Sequence, residues 1–313
     1  MRRLLFGAPL PPELAGAVVA LGNFDGFHRG HQAVVGRAVA RARTEGRPAI
    51  VGTFDPHPVR HFRPDRPPFR LTTLDQRERL FAAAGADAML VFGFDDALAT
   101  VEAEGFVRDV LGARVGAGAV VTGEDFTFGR GRRGTVALMA ALCGEAGIAV
   151  EAVGPVADAD GVISSSRIRD ALAAGDPERA AALLTRPFAI AGTVIHGDKR
   201  GRTIGYPTAN VLLGDYLRPA YGIYAVRARV AGGAWIDGVA NLGIRPTFDP
   251  PVELLETHLF DVAPDLYGQE LEVALISFLR PEARFDSLEA LVAQMDKDST
   301  EARRRLAALP PLP

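Results

Sequence analysis

Cysteine and lysine are the scarcest reactive side chains in this 313-residue chain, with one of the first and two of the second. A lone Cys143 excludes an internal disulfide and any cysteine-built zinc site, and it fits a reducing compartment. Lys199 and Lys297 leave the first 198 residues without a lysine. A Gly-x-x-x-x-Gly-Lys phosphate loop and a Schiff-base lysine are therefore excluded from that stretch, and an anion bound there must meet arginine, histidine, hydroxyl or backbone N–H groups. An excess of one charge is lacking too. The formal net charge of −3 gives no non-specific grip on nucleic acid or on an anionic membrane, so neither is expected as a partner. No apolar run approaches the roughly 20 residues of a membrane span. The start, Met1-Arg2-Arg3-Leu4-Leu5-Phe6, imitates a secretory leader, but Pro9, Pro11, Pro12 and Glu13 interrupt it; a cytoplasmic protein is expected. What remains is ordinary for a globular chain, 48% apolar and 23% charged residues, with length for about two domains.

The string Gly22-Asn23-Phe24-Asp25-Gly26-Phe27-His28-Arg29-Gly30-His31 lies between an apolar run, Ala15 to Leu21, and a helix-compatible run, Ala33 to Arg43. It reads as the turn at the carboxyl end of a buried strand, where open α/β sheets bind ligands. Gly22, Gly26 and Gly30 are expected to let the backbone approach a ligand, and the first N–H groups of the helix offer a dipole that favours anions. His28 and His31, three apart, would share one face of a helical turn and could both donate to phosphate oxygens. Pro48 to Phe54 reads as a second strand, closed by Asp55-Pro56-His57-Pro58. Helical spacing then alternates with short apolar runs as far as Val153, which predicts a parallel sheet with helices on both faces. A metal reading competes for the same residues: Asp25, His28, His31, Asp55 and His57 could form a carboxylate and imidazole site of the binuclear phosphoesterase kind. Such enzymes would be expected to place a histidine directly after an asparagine in a later strand-end loop, whereas the comparable Gly22-Asn23 leads into Phe24.

Two later strings also suit anions. In Gly123-Glu124-Asp125-Phe126-Thr127-Phe128-Gly129-Arg130-Gly131-Arg132-Arg133-Gly134, three arginines stand among glycines, and Phe126 and Phe128 offer flat contact to a ring; a solvated basic hairpin is the plain alternative. In Ile163-Ser164-Ser165-Ser166-Arg167-Ile168-Arg169, hydroxyls at a helix start precede two arginines. That is a second anion-binding terminus, with simple N-capping as the alternative. Beyond Thr185-Arg186-Pro187 the pattern changes to serial short strands with turn signals, which predicts a small antiparallel barrel, and Ser287 to Leu306 reads as one amphipathic helix. Between His196 and Pro207, Gly197, Gly201 and Gly205 recur among Lys199, Arg200 and Arg202, and Tyr206-Pro207-Thr208-Ala209-Asn210 follows. Thr208 and Asn210 carry hard oxygens suited to magnesium.

Taken together, His28-Arg29-Gly30-His31 after a strand, the Asp125-Phe126-x-Phe128-Gly129 loop, Ile163 to Arg169, Pro207-Thr208-Ala209-Asn210, Asn241-Leu242-Gly243-Ile244-Arg245-Pro246-Thr247-Phe248 and Glu256-Thr257-His258-Leu259-Phe260-Asp261 resemble the motifs of the bifunctional bacterial riboflavin kinase/FAD synthetases. The likeness runs from about Val18 to Arg304. Departures are small: Phe27 and Thr257 where valine is common, and Thr185 where glycine is common. The resemblance implies a Rossmann-like nucleotidyltransferase domain over residues 1–185 and a β-barrel riboflavin kinase domain with a terminal helix over 186–313. It implies two reactions with ATP and Mg2+: riboflavin gives FMN, and FMN gives FAD with release of pyrophosphate. By the same likeness Glu256 is the general base of the kinase, Thr208 and Asn210 hold its metal, and His28 and His31 stabilise charge during adenylyl transfer. Gly22, Asn23, Phe24, Asp25, Gly26, Ser164, Ser165, Ser166, Arg167 and Arg169 would contact the nucleotide of one half, and Gly197, Gly201 and Gly205 that of the other. Asp125, Phe126 and Phe128, and in the second half Asn241, Arg245 and Arg303, would contact flavin. A kinase whose first half only senses nucleotide, and a flavin-binding regulator without turnover, are the competing readings; weak self-association stays open.

Overall fold

The computed structural model describes residues 1–196, 204–230, 232–245, 252–262 and 265–312, and of Arg245 the backbone alone. The chain divides into two compact units, Met1–Arg66 with Thr73–Ser164, and Pro67–Thr72 with Ser165–Pro313.

In the first unit, β1 (Arg2–Leu5), β2 (Val18–Leu21), β3 (Ala49–Asp55), β4 (Ala88–Gly93), β5 (Ala119–Gly123) and β6 (Ala149–Val153) form a parallel sheet of order β1-β4-β3-β2-β5-β6. Its centre, Val18-Val19-Ala20-Leu21, is buried throughout because both faces are covered. Side chains alternate across the sheet: Val19 and Leu21 join Ile50, Val120, Phe106 and Met139, while Val18 and Ala20 join Val51, Val121 and the helix α1 (Arg29–Glu45) through Val35, Ala38 and Ala42. The remaining helices of this unit are α2 (Pro58–Phe62), α3 (Leu74–Ala83), α4 (Asp96–Ala99), α5 (Ala103–Gly105), which runs on as a π-helical stretch (Phe106–Arg114), and α6 (Val136–Glu145). The chain places β3 and β4 on one side of β2, then crosses to lay β5 on the other. The loop after β2 therefore opens at a topological switch point. The leader-like start is itself part of the sheet: Arg2–Leu5 pairs with β4, and its two arginines, which imitated a leader's basic end, are tied to Glu13 and to Asp75 and Glu78. A two-stranded ribbon, β7 (Ala157–Asp158) and β8 (Gly161–Val162), closes this unit.

The second unit carries α7 (Ser165–Ala173), α8 (Pro177–Leu184), and strands β9 (Phe188–Ile195), β10 (Ala209–Leu212), β11 (Gly222–Val230), β12 (Ile236–Arg245), β13 (Val252–Leu259) and β14 (Glu270–Arg280). They close in the order β10-β13-β12-β11-β14-β9 with antiparallel neighbours throughout, so the barrel leaves no strand edge unpaired. The strand absent from the sequence pattern is β10, which grows out of the Pro207 to Asn210 string. The last helix, α9 (Leu288–Ala307), starts where Ser287 Oγ accepts the Ala290 N–H at 3.1 Å. It lays Ala302 and Leu306, four apart, against Ala225, Phe260, Ala274 and Ile276 of the barrel.

Candidate active sites

In the first unit the turn after β2 is built by buried side chains. Phe24 and Phe27 sit at positive φ, 52° and 46°, and both rings pack on Phe81 at 5.8 and 5.1 Å; burial outweighs the steric cost of that conformation. A Cβ at Gly22 would meet the Phe24 ring at 3.0 Å, and one at Gly30 would meet the His28 ring at 3.1 Å. At these two glycines a side chain would press on the protein's own rings. Phe24 and Asp25 are buried.

His28 stands at the N-cap of α1, outside the helix. Its Nδ1 accepts the backbone N–H groups of Gly30 and His31, at 3.2 and 3.4 Å. An imidazole that accepts at Nδ1 carries its proton at Nε2, which makes Nε2 its donor. The His31 ring stacks on it, centroids 3.7 Å apart, and meets the edge of Phe24 at 5.4 Å. The pair is thus a stacked unit on the helix N-terminus. Ile163, just before the serine string, brings its carbonyl within 3.6 Å of where a Gly30 Cβ would lie.

Neighbouring strand ends complete this edge of the sheet. Asp55 ends β3, and His57 caps α2 through Nδ1, which accepts the Val59 N–H at 3.1 Å. Two of the three histidines considered for a metal therefore spend Nδ1 on helix ends. Among the described residues no group of three or more His, Cys, Asp or Glu side chains could hold a metal ion, which leaves the binuclear reading without a ligand set there. Asp125 is exposed, Phe126 half-buried and Phe128 buried against Phe106, with Gly134 flat on its ring. Of the two phenylalanines, Phe126 is the one with ring surface to offer. In the second unit, Ser165 opens α7 with Ser166 exposed, Ile168 is buried, and Arg169 donates to the Phe69 carbonyl at 2.9 Å while lying over the Phe69 ring.

The barrel holds a cavity of about 710 Å³, lined by Thr208, Asn241, Glu256, His258, Arg280 and residues of α9 among others, a size that suits a small organic ligand. Strand register explains why these residues meet. Glu256 on β13 lies directly across from Asn210 on β10 and Asn241 on β12; Asn241 faces Ile223 on β11, and Ile223 faces Arg280 on β14. Directly opposed residues share a face, so one row around the barrel carries Asn210, Glu256 and Asn241 side by side. The Oδ1 atoms of Asn210 and Asn241 are buried with no hydrogen-bond partner among the described residues. Buried acceptors of this kind call for a donor or a cation. His258 Nδ1 donates to the Pro207 carbonyl at 2.9 Å, tying β13 to the Thr208 turn. Arg280 grips Asp298 of α9 through Nε at 2.9 Å and Nη2 at 2.6 Å, and Gln294 also donates to the same carboxylate at 2.9 Å. Burial, and then the hydrogen bond to Asp296, pushes the Tyr206 phenol in the cavity wall above its ordinary value.

The other expected residues of this half fall differently. Arg303 is held bidentately by Asp261, at 2.8 and 2.9 Å, lies over the Phe260 ring and does not itself line the cavity. Gly205 turns at φ 85°. Gly197 and Gly201 lie outside the described residues, as does the side chain of Arg245.

Comparison with known proteins matches residues 10–167 to the FAD synthetase family and residues 184–306 to the riboflavin kinase family. The bifunctional riboflavin kinase/FMN adenylyltransferase of Escherichia coli K12 is 41% identical over 288 residues, 92% of either chain, and that of Bacillus subtilis 168 is 40% identical over 304 residues, 95% of either chain. The chain belongs to the bifunctional riboflavin kinase/FMN adenylyltransferase family. A solved structure from Streptococcus pneumoniae described as a macrolide-efflux protein shares the fold from end to end, with TM-score 0.85, 32% identity and 97% of this chain covered. Among the described residues of this family member no helix is long and apolar enough to cross a membrane. One group of contacts near the strand ends has no motif to announce it. Phe62, 62% exposed, stands with His61 and Phe94 beyond the ends of β3 and β4. Arg280 and Asp298 are 18 residues apart; Gln294-x-x-x-Asp298 resembles the family's last-helix pattern, but nothing in it names Arg280 as the partner.

Proposed function

We propose that residues 186–313 phosphorylate riboflavin to FMN and residues 1–185 adenylylate FMN to FAD, each with its own ATP. The observation that carries the kinase half is the row Asn210–Glu256–Asn241, of which Glu256 and Asn241 line a cavity of flavin size. Glu256, as general base, takes the proton from riboflavin's terminal ribityl hydroxyl as that oxygen attacks the γ-phosphate of ATP. The residues present suit Mg2+: Thr208 brings a hydroxyl to the cavity wall, and the buried Asn210 Oδ1 is an oxygen donor in need of a partner, which matches an ion that takes few protein oxygens and shares phosphates and water. Bound there, the ion would neutralise charge on the transferring phosphate. Asn241 and Arg245 then hold the flavin, with Arg303 shaping that end of α9, while Gly197, Gly201 and Gly205 form the nucleotide loop.

In the adenylyl-transfer half, FMN's phosphate attacks the α-phosphorus of ATP, one P–O bond forming as the bond to pyrophosphate breaks. The Nε2–H of His28 and the ring of His31 donate to phosphate oxygens, a fixed electrostatic role. The backbone from Gly22 to Gly26 borders the nucleotide. Ser164, Ser165, Ser166, Arg167 and Arg169 hold its β- and γ-phosphates, and Asp125, Phe126 and the open face of Phe62 receive the flavin, with Phe128 buried behind Phe126. Both steps belong to a cytoplasmic enzyme with no nucleic-acid or membrane partner. Purified protein given riboflavin, ATP and Mg2+ should yield FMN and then FAD on separation of the flavins. FMN alone would reduce the first half to a sensor, and unchanged riboflavin would leave a flavin-binding regulator.

A further inference from the structure

A buried arginine lies beneath the first site. Arg77, 3% exposed, rises from the first turn of α3, which the Thr73–Gln76 capping box fixes from both directions. Its Nη1 donates to Thr53 Oγ1 at 2.8 Å, to the Asn23 carbonyl at 3.3 Å and to the Phe54 carbonyl at 3.4 Å, and its Nη2 reaches Asp55 Oδ1 at 3.4 Å. Thr53 Oγ1 in turn donates to the same Asn23 carbonyl at 2.8 Å. From the other flank, Thr122 Oγ1 on β5 donates to the Leu21 carbonyl at 3.0 Å. The carbonyls that lead out of β2 into the histidine loop are therefore clamped from both neighbouring strands, and the guanidinium is the charged centre of one clamp.

Stability alone does not explain a charge there. A buried ion pair is often no better than an apolar replacement of the same size, because desolvation offsets the attraction. What the guanidinium does supply is direction: a rigid planar fork joins the end of β3 to the residue before Phe24. We propose that Arg77 is a positioning residue for adenylyl transfer, which sets the Asn23 carbonyl and through it the loop that carries His28 and His31. This rests on the adenylyl-transfer reading above.

Arg77→Met keeps the bulk and removes every donor. It should lower kcat for FMN adenylylation by roughly tenfold to a hundredfold, the cost of a small misplacement of catalytic groups, with KM for ATP and for FMN within about threefold of wild type. Riboflavin phosphorylation by the same protein should be unchanged. Arg77→Lys, which retains a single charged donor, should recover part of the loss. Thr53→Val, nearly isosteric, should lose kcat in the same way. The double variant should be no worse than the poorer single one, because both act through one carbonyl. If Arg77→Met does not fold, Thr53→Val decides the matter alone. Wild-type kcat in a folded Arg77→Met or Thr53→Val protein, a rise in KM at constant kcat, or losses that multiply in the double variant would each overturn the proposal. Wild-type protein that makes no FAD from FMN would instead sink the underlying reading, and is thereby told apart.

Discussion

His28 combines two roles that one substitution can separate. Its Nδ1 caps α1, and the proposed function gives its Nε2–H to a phosphate oxygen. His28→Asn offers an amide oxygen to the same N–H groups but has no Nε2–H. It should keep the stability of the first unit within a few tenths of a kcal/mol and still slow FAD formation about a hundredfold. His28→Ala loses the cap as well and should cost roughly 1 kcal/mol in thermal or urea unfolding. His31→Ala, which removes no cap, should slow FAD formation by about a hundredfold while FMN accumulates. In the barrel, Glu256→Gln preserves shape and polarity but cannot take a proton; FMN formation should fall by about 10²–10⁴ while supplied FMN is still converted. Steady-state assays of each step on each variant check all of these. If Glu256→Gln stopped both steps in folded protein, the two sites would not be separate.

At the scale of elements, the end of α9 depends on an arginine from another strand. Arg227 on β11 is buried, bonds Asp237 at 3.0 Å, and donates to the carbonyls of Leu306 at 3.1 Å, Leu309 at 3.2 Å and Pro310. Leu306 lies in the last turn of α9, where a helix runs out of its own donors, and Leu309 and Pro310 lie just beyond it. Arg227→Met should destabilise the barrel by about 2 kcal/mol, since buried acceptors lose a charged donor. Urea unfolding followed by the fluorescence of Trp235, the chain's single tryptophan, which packs on the cluster holding Ala302 and Leu306, measures it. In sequence Arg227 was one polar position in an alternating strand. Alternation reveals which side of a strand a residue takes, but the helix end that it meets is 79 residues away, and no local pattern encodes that distance. The same limit hid β10 and β1. Four residues are too few for a period to show, and β1 becomes a strand only because β4 offers it an edge.

For the whole molecule, the proposed chemistry puts one pocket in each half with FMN as the shared species. An equimolar mixture of His31→Ala and Glu256→Gln proteins should then form FAD from riboflavin and ATP, because FMN released by the first is used by the second. Chromatography of the flavins over time reads it. FAD appearing in neither the single variants nor the mixture would mean that FMN does not leave the protein that makes it.

Residue chemistry and spacing by themselves determined the order of the halves, the ends of most strands and helices, the side chains able to handle phosphate in a stretch without lysine, and the family resemblance. Those follow from local rules: side-chain period, proline and glycine punctuation, and short motifs whose members are neighbours in the chain. Only the tertiary structure decided that Asn210, Glu256 and Asn241 form one row, that Gly22 and Gly30 accommodate aromatic rings, that Nδ1 of His28 is committed to a helix, and that Arg77 grips two strand ends. Each of these depends on strand register or on contact between segments far apart in sequence, where a shift of one residue turns a side chain to the opposite face.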